Sequence, residues 1–152
     1  MKLIYPLKGI GIHPGIYLTQ GFGEHPALYA PYGLIGHDGI DWGAPRSTPI
    51  YAAHGGRLVT RPFDVGYGIH PRIYWEEDGV TYDTVYGHLE RLQGTDRMVN
   101  TGDVIGYVDS TGNSTGHHLH FGIRKKTAQG GTIINAGNGY FGYFDPMPYF
   151  KG

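Results

Sequence analysis

The chain contains no cysteine. That excludes a disulfide framework, a thiolate nucleophile and any cysteine-ligated metal, so a metal would have to be held by His, Asp or Glu. Charge is scarce as well: charged residues make up 16% of the sequence and the formal net charge is −1. The only basic run, Arg124-Lys125-Lys126, is too short to grip nucleic acid. No stretch approaches the ~18 apolar residues of a membrane span. The start, Met1-Lys2-Leu3-Ile4-Tyr5, breaks at Pro6, before the apolar core of ~7–15 residues that an export signal needs. The protein is therefore expected to be made without an export signal, or else to be a secreted form whose leader has been trimmed. Sustained helical periodicity is also missing, apart from one possible turn near Leu89 to Gln93.

What is abundant points to strands and turns. There are 27 glycines, 10 prolines and 13 tyrosines in 152 residues. Gly and Pro cut a chain into short segments, and Tyr favours strands. The 39% apolar content suffices for a core, so disorder is not expected. The expectation is an all-β fold occupying residues 1–152 as a single domain. Strands are expected at Ile16 to Phe22, Ile40 to Trp42, Ile50 to Ala53, Gly56 to Arg61, Ile69 to Glu76, Val80 to Leu89, Val104 to Val108 and His118 to Arg124. Glu77-Asp78-Gly79 should turn the hairpin, Pro26 to Gly36 should be a loop, and the tail Asp145 to Phe150 a rigid closing strap.

Two segments carry most of the chemistry. Gly36-His37-Asp38-Gly39-Ile40-Asp41-Trp42 has a His and an Asp four residues apart, and Gly116-His117-His118-Leu119-His120-Phe121 has two His two apart. In extended chain, even separations share a face. His37 can then project with Asp41, and His118 with His120, while Leu119 and Phe121 turn to the core. Imidazole and carboxylate are the usual donors of catalytic zinc, which takes three protein ligands and keeps one position for water. A third element, Tyr86-Gly87-His88-Leu89, supplies a further His for proton transfer. His13, His25, His54 and His70 lie beside Gly or Pro without a partner at ligand spacing and read as structural residues.

Gly-His-x-Gly-Ile-Asp, Tyr-Gly-His-Leu and Gly-His-His-Leu-His-Phe, in this order, resemble the M23 peptidases, the lysostaphin-type and LytM-type zinc endopeptidases of bacterial cell walls. The resemblance extends to Thr19-Gln20-Gly21-Phe22-Gly23, Thr48 to Ala53, Gly66-Tyr67-Gly68, Gly102 to Val108 and Asp145-Pro146. It implies a compact antiparallel β-sheet domain with an open groove and long loops, one zinc per chain on His37, Asp41 and His120, and a catalytic pair, His88 and His118, whose base and stabiliser roles are exchangeable. Tyr29 or Tyr32 would add a hydrogen bond to the oxyanion. The implied substrate is a peptide of bacterial peptidoglycan, with no nucleic acid and no membrane span involved, and the chain is expected to act as a monomer. The form is similar to phage endolysins or virion-associated lysins, which implies delivery to the bacterial cell wall by a phage holin or a virion. Two departures stand out: His117 occupies a position that is often Pro, and Gly122 one that is often acidic, so a supporting contact on the face of the His pair is expected to be missing. The alternatives are a non-catalytic relative that binds the wall or activates an amidase, and a biotinyl-type carrier domain suggested by Gly102 to Val108. The first would typically have lost ligands that are all present here, and the second leaves five site residues unexplained.

Overall fold

The computed structural model describes residues 1–151. Its strands are β1 (Tyr17–Gln20), β2 (Ile40–Gly43), β3 (Pro49–Tyr51), β4 (Gly56–Thr60), β5 (Pro71–Glu77), β6 (Val80–Gly87), β7 (Leu89–Leu92), β8 (Arg97–Val99), β9 (Val104–Val108) and β10 (His118–Thr127). They form a seven-stranded sheet, ordered β1-β2-β10-β6-β5-β4-β8, and a three-stranded sheet, ordered β3-β9-β7. Every strand pairing is antiparallel. The all-β expectation holds, with two sheets rather than one.

The β5–β6 hairpin shows local chemistry setting register. Glu77 pairs with Val80, so the turn is Asp78-Gly79, both with positive φ (52° and 75°). That is the two-residue geometry whose twist suits adjoining antiparallel strands. The expected turn near Leu89 to Gln93 is instead strand β7, paired with β9. Leu-Glu-Arg-Leu places its apolar residues three apart, and tertiary pairing decides the ambiguity. The loop expected at Pro26 to Gly36 contains one helical turn, Pro26–Tyr29, and a 3-10 turn, Ala30–Tyr32.

Alternation along β10 sorts its side chains. Leu119, Phe121 and Ile123 are fully buried. The Phe121 ring lies 5.2 Å from Tyr86, 6.4 Å from Trp42 and 5.4 Å from Phe150. The tail closes this core as a strap: Leu3 and Phe150 form a parallel bridge, and Phe150 stacks on Tyr5 at 4.8 Å. His118, His120 and Gly122 face the other side.

His54 and His70 are buried, not loop-surface residues. His54 donates from Nδ1 to the Gly55 carbonyl at 2.8 Å, has the Thr84 hydroxyl 2.8 Å from Nε2, and packs on Trp75. Burial pushes its pKa down to about 4. The unfolded chain takes up this proton near pH 6.5 and the folded chain only near 4. Stability is therefore complete above about pH 6.5 and falls as the pH drops toward 4, by up to ~3 kcal/mol from this group. Urea denaturation between pH 7 and 4.5 should show a steeper acid loss in the parent than in His54→Gln; equal slopes would refute the assignment.

Candidate metal centre and active site

His37 and Asp41, four residues apart, and His120, 79 residues beyond Asp41, converge at one end of the seven-stranded sheet. Asp41 in β2 pairs directly with His120 in β10. His37 lies in the loop before β2, so it reaches Asp41 through that loop and not through strand alternation. Gly39 permits the approach: a Cβ there would lie 2.3 Å from the Phe121 carbonyl oxygen and 2.7 Å from His120 Cε1. Asp41 Oδ1 is 3.0 Å from His120 Nδ1 and 3.2 Å from His37 Nε2, and these two nitrogens are 3.1 Å apart. The centre of such a triangle is ~1.8 Å from each donor, a spacing compatible with the ~2.0–2.2 Å of zinc bonds. Two imidazoles and a carboxylate therefore fit zinc in number, type and spacing. Burial works against the Asp41 carboxylate, but hydrogen bonds from His120 and His37 outweigh it and hold the group well below the usual carboxylate range. It offers a permanent negative charge to a cation.

The tautomers are set from outside. His37 donates from Nδ1 to the Gly21 carbonyl at 3.1 Å, which leaves Nε2 free to ligate. His118 donates from Nδ1 to the Gly116 carbonyl at 2.8 Å, and its Nε2 lies 3.6 Å from Asp41 Oδ2. His88 donates from Nδ1 to the Thr111 carbonyl at 2.7 Å. The rings of His88 and His118 are 4.7 Å apart. Both thus present an unprotonated Nε2, which is what a proton acceptor requires. Burial, reinforced by His120 and His118, pushes the His88 pKa down to about 4, so its ring is neutral at physiological pH.

His88 does not end a continuous strand, as its motif suggested. It interrupts β6 and β7 with φ 68°, a left-handed conformation that is uncommon outside Gly and clusters at functional positions. Its backbone N–H donates to the Tyr67 carbonyl at 2.6 Å, and this holds the kink.

Two further residues belong to the site and escaped the motif reading. Asp38 Oδ1 lies 3.6 Å from His120 Nε2, a buried ring nitrogen with no hydrogen-bond partner among the described residues. The Tyr67 hydroxyl donates to Asp38 Oδ2 at 3.0 Å. His37, Asp38 and His120 also form a possible donor set, with one ligand atom from each within 4.8 Å of the others. Two carboxylates thus flank the His120 ring. The tighter triangle belongs to Asp41, which leaves Asp38 facing the opposite nitrogen. The signal in the sequence was the acid next to His37 and the Tyr in Gly66-Tyr67-Gly68, but neither has a spacing that announces a role. The missing acid at position 122 also has an explanation: a Cβ there would be 3.1 Å from both the Tyr143 ring and Val85, because Tyr143 stands on that spot.

Tyr29 and Tyr32 sit at the rim. The Tyr29 hydroxyl donates to Gln20 Oε1 at 2.8 Å and its ring lies 5.3 Å from His37. Burial, then Asp41, raises its pKa to about 12, so it stays protonated. Tyr32 is exposed and accepts from Asn113 Nδ2 at 3.2 Å, linking two loops that border the site.

A buried His–Asp–His cluster beside a second His pair, on an antiparallel sheet, defines a metallohydrolase type of centre. The family model for peptidase family M23 matches residues 35–136, and the chain belongs to that family. Among curated proteins it is 41% identical over 88 residues to "DD-carboxypeptidase/endopeptidase Mpg" of Neisseria meningitidis, covering 58% of this chain and 20% of that one. It is 38% identical over 86 residues to "Peptidoglycan DD-endopeptidase ShyC" of Vibrio cholerae, covering 56% and 19%. The chain thus spans about a fifth of the length of these relatives. Among solved structures, the catalytic domain of lysostaphin from Staphylococcus simulans aligns with TM-score 0.67 at 28% identity, over 87% of this chain and 90% of that one. LytU aligns with TM-score 0.67 at 31% identity, over 90% and 86%.

Proposed function

We propose that the chain is a zinc endopeptidase that cuts peptide bonds in bacterial peptidoglycan stems or cross-bridges. The observation that carries this is the 3.0–3.2 Å triangle of His37, Asp41 and His120 with the His88 and His118 imidazoles beside it. The family membership and the printed activities of the relatives support the substrate class. One zinc per chain would be held by His37 Nε2, Asp41 Oδ1 and His120 Nδ1. When bound, zinc lowers the pKa of a coordinated water toward ~7 and polarises a carbonyl.

The protein groups handle the protons. His118 Nε2, on the Asp41 side, accepts the proton of the attacking water, and its Nδ1–H···O=C bond to Gly116 fixes the ring for that transfer. His88 lies across from it, its ring 4.7 Å from that of His118; the proton that His118 takes from the water is relayed to His88 Nε2, which then stabilises the oxyanion or delivers that proton to the leaving amine. The two roles are exchangeable. The Asp38 carboxylate, 3.6 Å from His120 Nε2, favours the Nε2–H tautomer that leaves Nδ1 to ligate and raises the basicity of the ring; the Tyr67 hydroxyl holds Asp38 in place. This contact takes the place of the absent acid at position 122.

The walls of the site favour small residues in the substrate. Ile35 donates its N–H to the Gly139 carbonyl at 3.1 Å and Phe22 packs on Tyr140 at 4.4 Å, so the segments Ala30 to Gly36 and Gly137 to Tyr143 brace each other as rigid aromatic borders. Purified cell walls and casein offered side by side test the assignment. Walls should clear with new free amino groups and no new reducing ends. Efficient casein cleavage with intact walls would overturn it.

A further inference from the structure

The face of the seven-stranded sheet that carries His120 continues well beyond the metal centre. Strand register places Asp41, His120 and Gly87 in one row across the sheet. Two rows further along come Arg124, Asp83, Tyr74, Arg57 and Met98, and beside them Lys126, Thr81 and Glu76. Here lies an open hollow of about 580 Å³, lined by Arg57, Arg61, Lys126, Tyr74, Trp75 and Met98 among others. It is separate from the His cluster. Four residues of rise and three strand spacings put Arg57 ~20 Å from His120.

The charge in this hollow is unbalanced. Arg57 and Arg61 lie 5.4 and 5.8 Å from the centre of the Tyr74 ring, and Lys126 lies 5.4 Å from it. Three cations therefore crowd one ring in a protein of net charge −1. The nearby carboxylates are already engaged. Asp83 is fully buried between Arg72 and Arg124, at 2.9 and 3.0 Å. Asp96 accepts from the Thr60 backbone and hydroxyl. Glu76 accepts from the Thr81 hydroxyl and the Gln129 N–H. Neither Arg57 nor Arg61 forms an ion pair among the described residues; Arg61 donates to the Tyr74 hydroxyl, and Lys126 lies 3.9 Å from the already doubly paired Asp83. Lys126 is held below the usual lysine range, by burial first and then by Arg124, Arg72 and Arg61, against the pull of Asp83. Like charges gathered around an aromatic floor, with neither arginine neutralised by a carboxylate, form a receptor for an oxyanion.

We propose that this hollow is an anion subsite that holds a carboxylate of the wall peptide while the bond to be cut lies at the His37–Asp41–His120 centre; it rests on the peptidoglycan reading above. An extended peptide of about six residues spans the ~20 Å between them, and free carboxylates are the anions such peptides carry. Phosphodiester polymers of the wall offer related oxyanions, and the test separates the two.

The zinc-loaded full chain is mixed with purified walls in the cold and sedimented, and wall clearing is timed in parallel. Arg57→Ala/Arg61→Ala should need about ten-fold more wall for half-maximal binding, equivalent to ~1.4 kcal/mol. Its zinc content and its clearing rate at saturating wall should not change. Lys8→Ala/Lys151→Ala, which loses the same charge elsewhere, should bind as the parent does. Converting wall carboxylates to amides should weaken the parent to the level of the arginine variant and leave that variant unaffected. Stripping phosphodiester polymers should change neither protein. If stripping instead erases the difference between them, the bound anion is phosphate and the carboxylate assignment falls. If the arginine variant binds as tightly as the parent, the subsite itself is overturned. Binding without clearing by any of these proteins would count against the peptidase reading alone.

Discussion

His120→Ala is expected to lose zinc and hydrolysis together. His120 Nδ1 is one corner of the donor triangle, and two remaining protein donors cannot hold the ion against water. The fall in zinc affinity should exceed the ~10–100-fold typical of losing a partner that only orients a ligand. Asp38→Asn supplies that smaller reference effect. It keeps the shape of the side chain but removes the charge facing His120 Nε2, so zinc affinity should drop by ~10–100-fold and excess zinc should restore activity. Metal content after gentle purification and competition against a chelator measure both variants. The two flanking acids make the outcome diagnostic. If Asp41→Asn keeps its zinc while Asp38→Asn is empty at saturating metal, the ion sits on the other side of the His120 ring and the assigned triangle is wrong.

Substitution of His88 or His118 should leave zinc in place and slow turnover by ~10²–10⁴-fold, the usual contribution of a general acid or base. For His88 the informative change is to Asn. With φ 68° at that position, Asn keeps a side chain that tolerates the left-handed region, whereas Ala would mix strain with lost chemistry. His118 lies in ordinary strand, and Ala suffices there. Near-parental turnover in either variant would remove that residue from the mechanism. Loss of zinc in His118→Ala would mean that His118 and His120 had been exchanged.

How far the chain could be read without coordinates depended on whether a feature was local. Alternation in His118-Leu119-His120-Phe121 put the His pair on one face and the apolar pair in the core, because strand geometry needs no knowledge of the partner. The Asp78-Gly79 turn was visible for the same reason. Strand β8, Arg97–Val99, was not: three residues at a sheet edge carry no periodicity, and the pairing with β4 creates the strand. His37 was found by its motif, but the alternation argument misplaced the cause of its position, since Gly39 and the neighbouring β10 backbone guide the loop. Asp38 and Tyr67 are 29 residues apart and meet only through tertiary structure. The left-handed turn at His88 is imposed by the hydrogen bond to Tyr67 and by the sheet change between β6 and β7. His88-Leu89 has no residue type that demands it.

Tyr67 touches both halves of the centre at once. Its carbonyl receives the N–H of His88 at 2.6 Å, and its hydroxyl reaches the acid behind His120 at 3.0 Å. A chimera that exchanges only the Asp64–Gly68 turn with that of a relative would therefore disturb metal retention and proton transfer in a single stroke. Loop grafting aimed at a new wall chemistry has to move Tyr67 and Asp38 as a matched pair, and the two aromatic borders, tied together through Ile35 and Gly139, as another.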